Sequence, residues 1–310
     1  MVQLIRLPNV IIIILTQLLL RYCIIQPFVY ADEPAMLSPL PDFLILMIVT
    51  LFLAIGGYVI NDYFDVKIDS VNRPEKMVVN KFITPRNAIK VHLLLNGIAV
   101  LLGFFIAYRI RAISFGFIFP FISGLLWIYS AKYKRILFWG NFIVSVLSAF
   151  VILVVWLFEF FWLHIQPEIF ASVLPNMGWV SKIVAGYALF AFLTSMIREI
   201  IKDMEDYEGD KKFDCQTIPV VYGIRFSRFI VAVLLIGTMI LLGWAQFILY
   251  RLEMMMALWY FSFAVQIPAF YMLFKLFRAS EKQDFHLLSS LCKVIMVSGI
   301  LSMEVLLISN

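Results

Sequence analysis

The sequence predicts an all-α, polytopic membrane protein in which nine transmembrane helices surround a central cavity. Three observations predict it. The 310-residue chain is 63% hydrophobic and only 15% charged, whereas soluble domains carry about 45–50% apolar and about 25% charged residues; its mean hydropathy is +0.95. Apolar stretches of about 20 residues, enough to cross a bilayer, follow one another almost end to end. The basic residues gather in alternate connections, as membrane topology requires.

The first span is placed at 9–29. Val29-Tyr30-Ala31 before Asp32 loosely resembles a signal-peptidase site. Arg21 interrupts that apolar run, however, and the run is long enough to span, so it is read as a first transmembrane helix. The second span covers 41–62. The third and fourth, 88–108 and 113–131, leave only Tyr108-Arg109-Ile110-Arg111-Ala112 between them, a tight hairpin. The fifth lies at 137–160. A long connection over 161–179 follows, whose Trp162 and Trp179 suit interface anchors. The last four spans are 180–201, 227–249, 255–277 and 286–308. No low-complexity linker divides the chain, so residues 1–310 read as a single integral membrane domain.

With the N-terminus cytoplasmic, 20 Lys and Arg residues fall on the cytoplasmic side and four, Arg109, Arg111, Lys182 and Arg251, on the other. The positive-inside rule therefore puts the N-terminus in the cytoplasm and the C-terminus outside, in an inner or plasma membrane. The net charge of +5 sits in short loops and is accounted for by topology, which excludes a nucleic-acid partner. Cys23, Cys215 and Cys292, like His92, His164 and His286, stand singly without metal-ligand spacing. They are read as non-catalytic, which argues against zinc or haem.

Ten of the 20 acidic residues occupy two short windows, each beginning where an apolar span ends on the cytoplasmic side. The first holds Asp62, Asp65, Asp69 and Glu75. The second holds Asp203, Glu205, Asp206, Glu208, Asp210 and Asp214. Asp62, Asp65 and Asp69 are three and then four residues apart, and Asp203, Asp206 and Asp210 repeat that spacing. On a helix such positions share one narrow face. Three carboxylates on one face repel, and bound cations would offset the repulsion. Hard oxygen ligands suit magnesium or calcium, and the glycine-punctuated spacing of an EF-hand is absent. Magnesium shared between carboxylates and a diphosphate is the better fit. The null is a solvated acidic rim, and two copies on one side argue against it. Asn61, just before Asp62, adds an amide that can ligate metal or orient a carboxylate.

Positive charge adjoins both windows. Arg73 and Lys76 follow the first; Lys132, Lys134 and Arg135 end the fourth span; Arg198 and Lys202 lie one turn apart before the second. Most such charges merely set topology. Arg73, Lys134, Arg198 and Lys202 are singled out as diphosphate ligands because they adjoin a motif or a helix end. Among the aromatics, Tyr129 and Tyr207 stand beside the polar clusters, where a ring face can steady an allylic cation.

Asn61-Asp62-Tyr63-Phe64-Asp65-Val66-Lys67-Ile68-Asp69, followed by Asn72-Arg73-Pro74, resembles the first signature of the UbiA-type intramembrane prenyltransferases. Asp203-Met204-Glu205-Asp206-Tyr207-Glu208-Gly209-Asp210, with Thr217-Ile218-Pro219-Val220 and Gly223 beyond it, resembles the second. The resemblance covers essentially the whole chain. It implies Mg2+-dependent transfer of a polyprenyl group from a prenyl diphosphate to a lipophilic acceptor. It further implies that Asn61, Asp62, Asp65 and Asp69 hold one magnesium and Asp203, Asp206 and Asp210 the other, with Asp65, Asp206, Lys134 and Tyr129 as the catalytic set. The family's tyrosine and lysine lie four residues apart, whereas Tyr129 and Lys134 are five apart. Arg198-Glu199-Ile200-Ile201-Lys202-Asp203 is similar to the branch that includes digeranylgeranylglyceryl phosphate synthases and chlorophyll synthases. The first implies a prenylated glycerol-phosphate acceptor, geranylgeranylglyceryl phosphate, and ether-lipid synthesis; aromatic quinone precursors and chlorins remain open. From the residues alone, a transporter of a phosphorylated solute and a magnesium-dependent lipid phosphotransferase also remain open.

Overall fold

The computed structural model describes residues 6–30, 37–72 and 77–309. Among these residues, ten helices carry the fold: α1 (Leu7–Val29), α2 (Leu40–Asn72), α3 (Pro85–Arg109), α4 (Ile113–Ala131), α5 (Trp139–His164), α6 (Pro167–Glu205), α7 (Tyr207–Lys212), α8 (Ile218–Arg251), α9 (Met255–Arg278) and α10 (Lys282–Ser309). Among the described residues, all but the short α7 are long and apolar enough to cross a bilayer. Outward faces carry large exposed apolar side chains such as Leu101 and Phe105 on α3 and Trp244 and Phe247 on α8. Water would not tolerate so much apolar surface; lipid requires it. The chain is an all-α integral membrane protein.

Three boundaries differ from the sequence expectation, each for a local reason. α2 was expected to stop near 62 but runs to Asn72. No glycine or proline follows Gly57 until Pro74, so nothing breaks the helix when the apolar stretch ends. The expected connection over 161–179 is not a loop. α5 reaches His164 and α6 starts at Pro167, leaving Ile165 and Gln166 between them. Pro167 suits the first helical position, where its missing N–H costs nothing. Ile169, Phe170, Val173 and Met177 then pack on the core, as does Trp162, while Trp179 stays exposed. α8 begins at Ile218 rather than 227 because its first turn is a separate piece, broken at Gly223 (φ 85°, ψ 159°). Only glycine takes that backbone readily.

α2 packs on α3 and α4, and α6 packs on α5, α8 and α10. α1 touches α2, α5 and α10, joining the two halves around a common space. At the end of the bundle away from the acidic motifs, a buried ionic network ties α1 to α5. Arg21, 2% exposed, lies in a π-helical stretch of α1, Leu20–Ile25. Its guanidinium donates to the Ser38 hydroxyl (2.7 Å) and carbonyl and lies 3.8 Å from Glu159. Glu159 also accepts from the Tyr30 hydroxyl and the Ser38 N–H, both at 2.9 Å. Charges inside a bilayer are tolerated only with such partners.

Candidate active site

The face of α2 that bears the first motif continues down the helix. Thr50, Leu53, Ala54, Gly57, Tyr58, Asn61, Asp62, Asp65 and Asp69 all line one cavity of about 800 Å3. They recur in the i, i+3, i+4, i+7 pattern of one helical face, so a single stripe of α2 forms both acidic mouth and apolar wall. Ala191, Ser195, Arg198, Glu199, Lys202 and Asp203 form the matching stripe on α6, with Asp206 just beyond its end. Deeper walls are apolar, with Phe119, Ile122, Phe150, Val154 and Ile300 among them.

The second motif does not lie on one continuous helix, contrary to the simple reading of its spacing. α6 ends at Glu205, Asp206 takes non-helical dihedrals (φ −94°, ψ 7°), and Asp210 sits in α7. The break turns the chain so that α7 packs directly on α2. Asp210 thereby still faces the cavity, as do Asp203 and Asp206.

Lys134 reaches the site through a similar break. α4 ends at Ala131, Lys132 leaves the helical region (φ −136°, ψ −58°), and Tyr133–Arg135 form a 3-10 turn. The turn absorbs the extra residue between Tyr129 and Lys134, and both side chains line the cavity. Its seat is the start of α5. A Cβ on Gly140 would stand 3.0 Å from the Lys134 Cα and 3.1 Å from the Tyr133 carbonyl, so any larger residue displaces the lysine. The Arg135 carbonyl accepts from the Gln216 N–H (2.9 Å), tying this turn to the segment after the second motif.

The carboxylates have partners among the protein's own side chains. Lys134 is salt-bridged to buried Asp65 and donates to Asn61 Oδ1 at 3.3 Å. Asn61 Nδ2 donates to Asp65 Oδ2 (2.8 Å). Arg6 donates to Asp62 Oδ1 (2.6 Å), and Asn141 Nδ2 to Asp203 Oδ2 (2.8 Å). Burial disfavours the Lys134 ammonium, but Asp65 and Tyr129 outweigh it and its pKa is raised. Burial and then repulsion from Asp206 push Asp210 up to about 6, against the pull of Lys134. Cys215 lines the cavity too; burial and then Asp210 push its thiol up to about 11, which keeps it neutral and inert.

Among the described residues, no three Asp, Glu, His or Cys side chains converge tightly enough to enclose an ion alone. The donor set nonetheless fits magnesium. It consists of six carboxylates and an amide around one mouth, and magnesium typically takes one or two carboxylates, several waters and substrate phosphate oxygens. Arg198 and Lys202 line the same mouth, and both flank Glu199, at 2.7 and 3.7 Å. Arg73 lies outside the described residues. Tyr207 is not part of the lining and instead carries the Lys211 ammonium over its ring at 5.7 Å.

Several lining residues were not anticipated: Arg6, Tyr58, Asn141, Glu199 and Lys293. Asn141 carried a signal, a lone amide near the start of an apolar helix. Arg6 and Lys293 had been counted only as topology charges.

The fold and site together define a class: an intramembrane protein with an acidic, cation-rich mouth over an apolar chamber. The chain belongs to the UbiA prenyltransferase family, whose sequence profile matches residues 28–291. It is 32% identical over 206 residues to the digeranylgeranylglyceryl phosphate synthase of Thermococcus sibiricus, an alignment covering 66% of this chain and 64% of that protein. The chain thus spans somewhat under two thirds of the length of the curated relatives it matches. Among solved structures, one of digeranylgeranylglyceryl phosphate synthase in membranes aligns with a TM-score of 0.66 at 24% identity, over 100% of this chain and 98% of that one. A UbiA homologue from Archaeoglobus fulgidus, bound to DMAPP and Mg2+, aligns at 0.54 with 15% identity, over 98% of each. These structural likenesses show the fold.

Proposed function

We propose that this protein catalyses Mg2+-dependent transfer of a prenyl group from a prenyl diphosphate to a lipophilic acceptor, most specifically geranylgeranylglyceryl phosphate. One observation carries the reading. Asn61, the six motif aspartates and the cations Lys134, Arg198 and Lys202 crowd one end of a cavity whose depths are apolar. A diphosphate suits the first end and an isoprenoid tail the second. The relatives named above support the glycerol-phosphate acceptor.

In this reading Asn61, Asp62, Asp65 and Asp69 form one magnesium site, and Asp203, Asp206 and Asp210 the other. Bound magnesium would neutralise charge on the diphosphate as it departs. Lys134 leaves its pairing with Asp65 to donate to a diphosphate oxygen, while Arg198 and Lys202, with Arg73, hold the rest. The prenyl C–O bond breaks with its electron pair leaving on the diphosphate. The Tyr129 ring faces the resulting allylic cation, and the apolar walls keep water from it. The acceptor hydroxyl oxygen then bonds to that carbon and releases its proton to the aqueous mouth. The alternation of 20 basic residues against four supports a cytoplasmic N-terminus and mouth, a C-terminus outside, and a single membrane domain in an inner or plasma membrane.

The test is mass spectrometry of products from purified protein given magnesium, a panel of prenyl diphosphates, and glycerol-phosphate and aromatic acceptors. An ether product with released pyrophosphate is expected. Phosphoryl transfer, or solute flux into proteoliposomes without any product, would refute the reading.

A further inference from the structure

We propose that Arg6 and Lys293 form a second anion subsite in the mouth, which holds the phosphate of the acceptor lipid. The proposal rests on the acceptor reading above and adds the residues that would recognise its headgroup. Neither belongs to an aspartate motif or adjoins one in sequence. Arg6 caps the start of α1, and Lys293 lies on α10; those two helices pack together, and both side chains line the cavity.

The partner of Arg6 makes the case. Its guanidinium bonds Asp62 and stacks 5.0 Å from the Tyr58 ring centroid, and its side chain is 35% exposed. Asp62 is one of the carboxylates assigned to magnesium. Once that carboxylate serves a divalent ion, Arg6 loses its counterion and faces an added positive charge. A second anion restores the balance. A phosphate monoester matches the forked donors of arginine, and the partial positive charge at the start of α1 adds to the attraction. In the reading above, the donor diphosphate sits between the two motifs with Lys134 and Lys202. The remaining anion in the reaction is the acceptor's phosphate.

The test uses full-length protein in detergent with magnesium and no donor. Affinities are measured for a prenylglyceryl phosphate, its dephosphorylated alcohol, inorganic phosphate and a non-reactive prenyl thiolodiphosphate. The phosphate-bearing ether should bind at least about tenfold tighter than the alcohol, and Arg6→Gln should remove roughly that factor. Lys293→Gln should remove part of it and Arg6→Lys should retain part. Affinity for the thiolodiphosphate should change less than about twofold, as expected for a site that Arg6 does not form. Preserved phosphate preference in both glutamine variants overturns the proposal. So does an equal loss of thiolodiphosphate affinity, which would place both residues in the donor site. Inorganic phosphate competing as well as the lipid would reduce the subsite to a generic anion contact and overturn it too. A wild-type protein indifferent to the phosphate would instead refute the acceptor reading itself.

Discussion

Lys134 should play opposite parts before and after substrate arrives, and Lys134→Met separates them. Its ammonium is salt-bridged to Asp65 and hydrogen-bonded to Asn61, so it would compete with magnesium for that carboxylate. Two unit charges about 4 Å apart interact by about 4 kcal/mol at an effective dielectric near 20. The lysine side chain is 35% exposed, and screening by water lowers this to roughly 1–2 kcal/mol. Removing the charge while keeping an apolar stem should therefore tighten magnesium binding about 5- to 30-fold. Turnover should move the other way, because a donor to the departing diphosphate is worth about 10²–10³ in kcat. Isothermal titration with magnesium in detergent, without donor, reads the first effect; single-turnover product formation at saturating magnesium reads the second. Unchanged or weaker magnesium binding, or wild-type turnover, would refute the shared role of Lys134.

Asp65→Asn and Asp206→Asn should each leave a folded, membrane-inserted protein, with prenyl transfer reduced at least about a hundredfold; product assays on size-exclusion-purified variants check this. Asp210 is held up to about 6, and the metal needs its ionised form, so protons compete with magnesium below that value. Magnesium affinity should be flat from pH 7 upward and fall by about tenfold per pH unit below 6, a fall that Asp210→Asn should make shallower; titrations across pH 5–8 decide it. At the other end of the bundle, Glu159→Leu leaves Arg21 without its counterion and Tyr30 and the Ser38 N–H without their acceptor, at a cost of about 3–5 kcal/mol. The apparent Tm in detergent should drop sharply while kcat/KM of the protein that remains folded stays near normal.

Much of this architecture was readable because hydropathy and charge obey strong rules in a membrane. The apolar runs located every spanning helix, and the three-and-four spacing of Asp62, Asp65 and Asp69 reflects one helical stripe. What could not be read was where polar chain stays helical. Nothing in composition separates the helical extension of α2 to Asn72 from a loop, and α6 runs on through its interior Pro175. The second motif copied the spacing of the first, yet its helix ends inside it, and the break at Asp206 accompanies the packing of α7 on α2. Arg6 and Lys293 were invisible as site residues because a single basic residue near a span reads as topology. Only the folded bundle, with α1 and α10 beside the mouth, gives them another use.

That break gives the two halves of the mouth unequal mechanics. Asp62, Asp65 and Asp69 ride on one stiff rod and keep fixed mutual distances. Asp203 rides on another rod, but Asp206 is the joint itself and Asp210 lies beyond it, on a single short turn of helix. One jaw is an anvil and the other is articulated. On the proposed reading, diphosphates of different shape would be accommodated by flexing at that joint, and a proline or glycine beside it, at Tyr207, would change the bite without removing a ligand.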